Sequence, residues 1–537
     1  MVKSLRKRVI SLVISLVLAI VAIPVTAPVQ EATAASKYIK VDAFIKYLVT
    51  EMKLPLDMNS TTPYIDAAMK AGILKKGDFK DYSVYLTRTD CAVLANRADE
   101  YIYGAHYGFT EGVYEFLKDC TFVNGYLYYN IKGDLYPGEV SDIRSYPETR
   151  FIDEVVLPRL EPHFKFPDGL IASYYKESSL LENPGTFIEI GKIRKTVNGD
   201  EYEPFTGDDY LIQAWQKIID GDRRVQAVYD LRISDLNKIA KSKRQEVAEI
   251  VAKGIIKGYS NGMYIQNREF RGSDRITVAG AKGVVALVLD KYSRAPISPD
   301  GQLIRTTKLP KNYMNYPYIL ECFPNDFYEM PFYFHFSSRF KNGTLPKKDY
   351  RYPVETGNMD LLERYDDRIH PSMQPYEHYD TIMNKANVFL QQVFNVDYRT
   401  VDRNWIENLA SAYAPVGGFN AYEHIDEYIK AIKKNHVVVE SQVIALEPSS
   451  LYNYTYNYHV RAYVKYRITA DTVNVKDDKE LIFSALNTYL VGVKNGEWTY
   501  GYYDILIFGS RNNGPLYVEF GLNSWAGIGD EAYKGRK

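Results

Sequence analysis

The chain has 537 residues, 46% of them hydrophobic and 25% charged, and a formal net charge of −1. This length exceeds what one hydrophobic core organises, so we expect roughly two to four globular domains. Basic and acidic residues are interspersed along the chain, which argues against a nucleic acid as partner. The 48 tyrosines are typical of half-exposed sheets, with aromatic faces for sugars as the alternative.

The cysteines, Cys91, Cys120 and Cys322, are few and odd in number, which argues against a disulfide framework. A single Cys91–Cys120 bridge and buried free thiols are both compatible with the sequence. The hydrophobic content suffices to stabilise several cores without such bridges.

The N-terminus combines basic residues with a long apolar run. Basic residues among the first eight precede an apolar segment from Val9 to Val25, and small residues follow at Ala32–Ala35. This pattern predicts a secretory signal peptide over residues 1–35, cleaved near Ala34 or Ala35. An uncleaved membrane anchor is the alternative, because the apolar run approaches the about 18 residues that a spanning helix needs. No later segment is apolar enough to cross a bilayer, so we expect no membrane contact after cleavage.

Residues 36–104 contain one pair of predicted helices and part of another. The segment from Pro63 to Leu74 predicts a helix that ends around Gly72, because glycine readily adopts the left-handed conformation that closes a helix. A second helix is predicted from Thr87, with Asp90 three residues later as in a capping box. The stretch YIKVDAFIKYLVTEMKLPL at the mature N-terminus has a similar apolar rhythm.

Residues 229–294 repeat this pattern. Apolar residues at helical spacing predict a helix up to Lys253, which Gly254 ends. A turn is predicted at Ser260–Gly262, and Thr277 is expected to cap the next helix. Short helical pairs of this kind need neighbours to complete a core, so we expect both copies to fold into one module despite the residues between them.

The second copy resembles the S-layer homology domain of Gram-positive bacterial surface proteins. The family pattern GIIxGxxDGxFxPxxxITRAEF is matched by Gly254–Ile256, Gly258, Asn261–Gly262, Tyr264 and Ile276–Thr277. Gln266 stands where the family has proline, and the loop before Ile276 is longer. Arg232–Leu236 resembles the family's opening FSDV. The first copy matches around Gly72–Leu74 and Leu86–Arg88.

The resemblance implies a pseudo-threefold helical bundle that attaches non-covalently to secondary cell-wall polysaccharide, with acidic sugars in the grooves between repeats. The candidate ligand-binding residues are Thr87, Arg88, Tyr259, Asn261 and Gly262. A helix N-terminus with free N–H groups and an adjacent arginine suits a carboxylate, and Thr87 with Arg88 would supply both.

Part of the family's groove chemistry is missing from the second copy. Val278 and Gly280 stand where the family has Arg and Glu, so at most one groove keeps the full set. A purely structural interpretation is the alternative, in which Thr87 and Arg88 cap and solvate a helix and Asn261 belongs to a turn.

Residues 105–228 form a long insertion to which the sequence assigns no fold. One piece, DDYLIQAWQKIID, is helix-like. Around Glu177, followed by Ser178 and Ser179, the chain resembles the catalytic-acid neighbourhood of lytic transglycosylases, although that family's glycine-rich and glutamine-containing segment is absent. A wall-anchored glycan-cleaving enzyme with Glu177 as the acid is therefore an alternative function. An ordinary helix surface is the other interpretation of this motif.

Beyond a boundary near Ala295, aromatic strand-like runs and prolines predict a β-rich connector over residues 295–375. Residues 376–510 begin with three predicted helices, at 380–394, around Trp405 and at 425–432. Two strand signals follow. Ala462, Val464, Tyr466 and Ile468 alternate with polar residues, which predicts a sheet with one buried face, and Asn495–Gly496 predicts a hairpin. Residues 511–537 are a C-terminal tail.

This order of helices and sheet resembles the cone-shaped fold of the nuclear transport factor two superfamily, some members of which are isomerases or dehydratases with an Asp or His inside the cone. The resemblance makes His459 and Asp504 candidates for inward-facing positions, and His436 precedes the first strand. A small-molecule-binding or isomerase-like domain is thus another alternative, against histidines with structural roles only.

The sequence as a whole predicts a multi-domain α+β protein. It consists of a helical S-layer-homology-type bundle with a long insertion, a β-rich connector, and a C-terminal α+β cone with a curved antiparallel sheet. The predicted function is non-catalytic attachment of a secreted Gram-positive protein to secondary cell-wall polysaccharide or a peptidoglycan-linked polymer. No catalytic residue, cofactor or metal is predicted, and self-association is left open.

Overall fold

The computed structural model describes residues 37–104, 114, 117–123, 126–131, 170–175, 186–197, 199–204, 210–329, 376–413, 420–454, 457–471, 481–483, 493–508 and 517–523. These ranges contain ten α-helices, two five-stranded antiparallel sheets and a two-stranded ribbon. The mixed α+β class is therefore confirmed.

The helices are α1 (Val41–Glu51), α2 (Pro63–Lys70), α3 (Arg88–Tyr103), α4 (Tyr210–Ala227), α5 (Lys241–Ala252), α6 (Val278–Leu289), α7 (Asn325–Glu329), α8 (Tyr376–Val393), α9 (Arg403–Ala412) and α10 (Ala421–Lys434). The strands are β1 (Cys120–Val123), β2 (Tyr126–Ile131), β3 (Leu170–Tyr175), β4 (Thr186–Thr196), β5 (Gly199–Pro204), β6 (Tyr259–Ser260), β7 (Arg268–Glu269), β8 (Val396–Asp397), β9 (Val438–Tyr454), β10 (Asn457–Thr469), β11 (Trp498–Phe508) and β12 (Tyr517–Asn523).

The helical pairs on either side of the insertion share one hydrophobic core. Leu48 of α1, Ala68 of α2 and Leu94 of α3 are buried in the same cluster as Val251 of α5 and Val285 of α6. None of these short helices buries its apolar face alone, so the core exists only when all of them meet. The expectation of a single module is confirmed.

A closed ring of backbone hydrogen bonds joins the three segments that precede α1, α3 and α6. The N–H of Ile39 donates to the carbonyl of Ile276 (3.2 Å), that of Ile276 to Leu86 (3.1 Å), and that of Leu86 back to Ile39 (2.9 Å). All three side chains are buried. Since each segment bonds to both others, the three segments are arranged cyclically around this point.

Gly72 and Gly254 end the first helix of their copies in the same way. Both have positive φ, +72° and +71°. The next residues, Ile73 and Ile255, donate their N–H groups to the carbonyl oxygens of Ala68 and Ile250, five residues earlier in the chain. This is the left-handed helix end that the sequence predicts.

Partly buried ion pairs connect the first copy to the second. Arg97 on α3 contacts Asp78 (2.6 Å) and Glu246 (2.7 Å), and Lys253 contacts Asp99 (2.9 Å), which Arg294 also holds. Asp99 is only 3% exposed, so removing either cation would leave a buried charge without part of its compensation. These contacts fix the angle between the two copies.

The described part of the insertion contains a five-stranded antiparallel sheet in the order β1-β2-β4-β3, with β5 paired to the far end of β4. The helix-like piece predicted near residue 210 is α4. Its Trp215 donates to the carbonyl of Cys120 in β1 (3.2 Å), and Val225 near its end enters the core shared by the helical pairs. The insertion is thus attached to the module through α4.

The connector is not β-rich where the structure describes it. Residues 295–329 contain isolated bridges, such as Ile304 with Leu320, a 3₁₀ turn at Tyr313–Asn315 and the short helix α7. Its aromatic residues form a pattern that predicts strands. In the structure they pack against the C-terminal sheet instead, and Phe323 and Phe327 are fully buried. The rest of the predicted connector lies outside the described residues.

The C-terminal domain follows the predicted order, with helices α8, α9 and α10 before a sheet in the order β12-β11-β10-β9-β8. Phe394, just past α8, lies 4.9 Å from the ring of Tyr466 and 5.3 Å from that of Tyr503, so these helices pack on one face of the sheet. Gly496 has φ +74° in the predicted turn before β11, and the residues before Val493 that would complete the hairpin lie outside the described ranges.

One turn of the helical module docks into the C-terminal domain. Tyr264, between β6 and β7, stacks on Tyr463 of β10 with ring centroids 3.6 Å apart and planes 4° from parallel. Its hydroxyl lies 2.7 Å from that of Tyr502, and its N–H donates to the carbonyl of Cys322 (2.7 Å). Gln266, the departure from the family's proline, donates to the carbonyl of Leu446 in β9 (2.7 Å). We call these contacts the joint.

The joint explains why one prediction for β10 is wrong. Ala462, Val464, Tyr466 and Ile468 are buried as expected, but Arg461 and Tyr463 on the opposite face are also only 2% and 7% exposed. Tyr264 covers Tyr463, and Phe327 covers Arg461, which donates to its carbonyl (3.1 Å). Both faces are therefore buried at this end of the sheet.

Cys91, Cys120 and Cys322 are free, so no disulfide joins the first two. Burial raises the pKa of the Cys91 thiol to about 12. No helix among the described residues is long and apolar enough to cross a membrane. The predicted signal peptide, Glu177 and the tail beyond Asn523 lie outside the described residues.

Candidate functional site

An open groove of about 710 Å³ lies between the two copies of the helical module. One wall is the start of α3, with Thr87, Thr89 and Asp90. The other combines the residues before α5 with the loop from Glu269 to Asp274. The groove thus lies where the sequence predicts a polysaccharide site, at the junction of two repeats.

Gly272 brings the two walls together. A Cβ on this residue would lie 2.3 Å from Thr89 Oγ1 and 3.1 Å from Ile239, so no larger residue fits without displacing one of them. Next to it, the buried Asp235 of the FSDV-like segment accepts the N–H groups of Phe270 (2.6 Å) and Arg271 (2.8 Å). This carboxylate fixes the backbone of the loop and is not available to a ligand.

The N-terminus of α3 does not offer the free N–H groups expected for an anion. Arg88 donates its N–H to the carbonyl of Asp274 (2.8 Å) and Thr89 to that of Gly272 (3.0 Å). The N–H of Asp90 donates to Thr87 Oγ1 (3.1 Å), whose hydroxyl in turn donates to the Asp90 carboxylate (2.6 Å). Thr87 is a helix cap, and the neighbouring loop occupies the anion-binding position.

Arg88 is tied to the loop across the groove. Its Nε donates to the carbonyl of Phe270 (2.7 Å), and its Nη2 donates to that of Lys257. The guanidinium also lies over two rings, 4.9 Å from Tyr259 and 5.0 Å from Phe270. Burial lowers the pKa of Arg88, with Tyr259 acting in the opposite direction. The side chain of Arg88 does not line the groove, and its hydrogen bonds anchor one copy to the other.

The groove's accessible cations come from residues that sequence reasoning did not single out. Arg271 is half exposed, bonds Glu269 (2.8 Å) and lies 4.4 Å from the Tyr259 ring, in the same cluster as Arg88. Lys238 is exposed at the rim, and Lys243 pairs with Asp90 (2.6 Å). The family pattern gave no signal for them, because the loop that carries Arg271 is longer here than in the family.

Tyr259, Asn261 and Gly262 lie together on the β6–β7 ribbon but have different roles. Tyr259 is 43% exposed and belongs to the arginine cluster. Asn261 donates to Asn267 Oδ1 (2.7 Å) and Ser234 Oγ (3.2 Å), and Gly262 has φ +124°. The structure therefore gives Asn261 and Gly262 turn-forming contacts and places Tyr259 beside Arg88. None of these three residues lines the groove.

The other two junctions of the ring have lost the polar set. By the ring's equivalence, Val41 and Val278 occupy the position of Arg88, and Ala43 and Gly280 that of Asp90. The start of α6 is closed like that of α3, since Val278 donates its N–H to Lys37 (3.1 Å). Of these three junctions, only the one at α3 combines an arginine and an acid.

The C-terminal candidates do not form one site in the described residues. His459 is 1% exposed on β10, in register with Leu506, whereas His436 is at the surface and contacts Asp471 (2.7 Å). Asp504 lies opposite Arg461 in the ladder, and its side chain lies outside the described residues. A group that sequence reasoning missed is Glu447, which is fully buried beside Tyr328 and Ser449. Burial raises its pKa to about 8.

The S-layer homology domain is matched by residues 232–277, from the end of the π-helical turn after α4 to the cap of α6. The chain is therefore a protein that contains an S-layer homology domain, which indicates association with the cell surface or cell wall. The match includes α5, the ribbon and the loop that forms one wall of the groove. No curated protein and no solved structure matches the chain. The likeness of the C-terminal domain to the nuclear transport factor two superfamily stays a prediction.

Proposed function

We propose that the groove between the two copies binds an acidic cell-wall polysaccharide and so holds this surface protein on the wall without a covalent bond. The observation that supports this most is the groove itself, a cleft of about 710 Å³ whose one wall is formed by the matched S-layer homology segment. The residues assigned to the ligand differ from those that the sequence predicts. Arg271, Lys238 and Thr89 face the ligand, while Thr87 caps α3 at one wall and Arg88, which does not line the groove, anchors the two copies to each other.

The mixed charge of the groove suits a glycan. Lys238, Lys243 and Arg271 can donate to sugar oxygens and to an acidic substituent, and Asp90 and Asp274 can accept from hydroxyl groups. Sugar hydroxyls both donate and accept, so a lining with both kinds of partner satisfies them better than a purely cationic one. Tyr259 does not line the groove, but its exposed ring lies next to Arg271.

The cyclic arrangement limits the number of sites. Since alanine and glycine stand in place of Asp90 at the other two junctions, we infer that, of the three described junctions, the one at α3 holds the polysaccharide. Attachment then depends on a single groove, and loss of that groove should release the protein.

Co-sedimentation of the mature protein with purified walls tests the proposal. Binding should disappear when the accessory polysaccharide is stripped from the walls. Arg271→Ala and Lys238→Ala should each weaken binding roughly ten- to a hundredfold, since a charge-assisted hydrogen bond contributes about 1.5–3 kcal/mol. Arg275→Ala is the matched control, an exposed arginine of the same loop that does not line the groove. Undiminished binding to stripped walls, or by the Arg271→Ala/Lys238→Ala double variant, would reject the groove.

We further propose that the C-terminal domain is a binding or spacer domain without catalysis. His459, Arg461 and Glu447 are each at most 2% exposed, and the connector covers Arg461 and Glu447, so a substrate cannot reach these described groups. The alternative of glycan cleavage rests on Glu177. Wild type and Glu177→Gln should release the same amount of soluble fragments from peptidoglycan, and a loss in the variant would make the protein an enzyme.

A further inference from the structure

One face of the C-terminal sheet carries a row of aromatic side chains along β11. Trp498, Tyr500 and Tyr502 are every second residue of the strand, so they lie on the same face and follow one another at about 6.6–6.8 Å. Tyr502 lies directly opposite Tyr463 in the ladder, so the row continues on β10. The helices of the domain pack on the other face, where Tyr503 lies.

The joint covers one end of this row and leaves the other end open. Tyr264 stacks on Tyr463, with ring centroids 3.6 Å apart, and Tyr463 and Tyr502 are only 7% and 6% exposed. Trp498 is 44% exposed and Tyr500 is 42% exposed. The covered end therefore already holds a planar ring in stacked contact, whereas the open end presents two rings of the same row to the solvent.

Polar side chains flank the two exposed rings. Arg467 and Lys465 lie directly opposite Trp498 and Tyr500 in the ladder, so they share this face of the sheet. The guanidinium of Arg467 lies 5.0 Å from the Trp498 ring, and its Nε donates to Glu440 (2.6 Å). Lys465 makes no hydrogen bond or ion pair with any residue that the structure describes. We call these five residues the shelf.

The composition of the shelf favours a sugar over a protein surface. A sugar ring packs its nonpolar face on an aromatic ring, and its hydroxyl groups need donors and acceptors beside that ring. Lys465 and Arg467 supply donors, and Glu440 supplies an acceptor. A stable protein interface buries about 1,200–2,000 Å² around an apolar centre, and two half-exposed rings bordered by charged side chains offer far less.

We propose that the shelf binds a glycan chain, with sugar rings stacked on Trp498 and Tyr500 and with Lys465 donating to a sugar oxygen. This proposal names the ligand class of the C-terminal domain, and it rests on the proposal above that this domain binds without catalysis. The shelf is separate from the groove at α3. Stacking on two rings corresponds to a dissociation constant of about 1 mM, which is too weak to hold the protein on the wall without the groove.

The test uses the full mature chain and two soluble probes, the tetramer of N-acetylglucosamine and maltotetraose. Saturation-transfer NMR detects binding, and titration gives the dissociation constants. At least one tetramer should bind saturably, and Trp498→Ala should weaken that binding by about tenfold or more. Trp498→Phe, which keeps an aromatic ring, should lose less. Tyr422→Ala is the matched control, because Tyr422 is 48% exposed on another element, α10, and should bind like wild type.

The shelf and the groove fail in different assays. The Arg271→Ala/Lys238→Ala variant should bind the tetramer like wild type, and Trp498→Ala should still sediment with walls. The shelf is overturned if neither tetramer binds saturably up to about 10 mM, or if Trp498→Ala binds unchanged. Hydrolysis of a tetramer during the titration would reject the absence of catalysis instead. Dimerisation in analytical ultracentrifugation that Trp498→Ala abolishes, without tetramer binding, would make the shelf a self-association surface.

Discussion

Truncation of Tyr264 at the joint should lower the stability of the protein by about 3 kcal/mol. The stacked contact with Tyr463 contributes about 0.5–1.5 kcal/mol beyond its buried area, and the hydroxyl contact with Tyr502 about as much. Loss of a fully buried aromatic ring costs about 3–5 kcal/mol, and roughly half of that applies here because the ring is only partly buried. The alanine variant has to adopt the same positive φ of +61°, so the substitution relieves no backbone strain that would offset the lost contacts.

Differential scanning calorimetry measures this effect. For a cooperative unit of about 150–250 residues, 3 kcal/mol corresponds to a fall in Tm of about 6–12 °C. Because the joint couples two domains, Tyr264→Ala should also separate the unfolding of the helical module from that of the C-terminal domain.

Tyr264→Phe is the control variant, since it keeps the stacked ring and removes only the hydroxyl. Its Tm should fall by about 2–4 °C, equivalent to about 1 kcal/mol. Burial raises the pKa of Tyr264, and that of Tyr502 to about 12, so the hydroxyl pair stays neutral near neutral pH and cannot mask the difference. Equal shifts for the two variants, or a shift below about 2 °C for alanine, would refute stacking as the main contribution to the joint.

Two further predictions concern single residues. Gly254→Ala should destabilise far more than Gly72→Ala, because both have φ near +70° but a Cβ on Gly254 would lie 2.0 Å from the carbonyl oxygen of Ala295, whereas nothing lies within 4 Å of one on Gly72. Urea unfolding should show about 1 kcal/mol for Gly72→Ala and several times more for Gly254→Ala, and equal losses would contradict this difference in space between the two glycines. Stability should also fall as the pH rises, because Glu447, beside Tyr328, has a pKa raised by burial to about 8 from 4.5. Its contribution of up to about 5 kcal/mol is complete below about pH 4.5 and lost as the pH rises through about 8, and denaturant midpoints from pH 5 to 9 should lose this slope in Glu447→Gln.

Local signals in the sequence were sufficient for the helix ends. Gly72 and Gly254 close helices because few other residues adopt positive φ at low cost, and Thr87 and Thr277 cap helices because a hydroxyl accepts a nearby N–H. These effects act within four residues and do not depend on the rest of the chain. For the same reason the order of helices and strands in the C-terminal domain could be predicted from periodicity.

The site was only partly accessible from the sequence. The position of the groove followed from the repeat pattern, but the roles of its residues did not. Arg88 was assigned to a ligand, yet its guanidinium donates to the carbonyls of Phe270 and Lys257, on the far side of the insertion in the chain. The sequence did not point to Arg271, which we propose to face the ligand, because its position in the groove depends on the backbone that Asp235 and Gly272 hold in place.

The sequence alone predicted two copies of paired helices in one module and a likeness to the S-layer homology domain, which residues 232–277 match. The tertiary structure decided which surfaces of those copies are buried against other segments and which stay exposed. It closed the N-terminus of α3 with a loop, directed Tyr264 and Gln266 into the C-terminal sheet, and buried Arg461 and Tyr463 on a face that alternation marks as exposed. The physical reason is range: helix caps and periodicity act between near neighbours, whereas burial of a face depends on whichever distant segment packs against it.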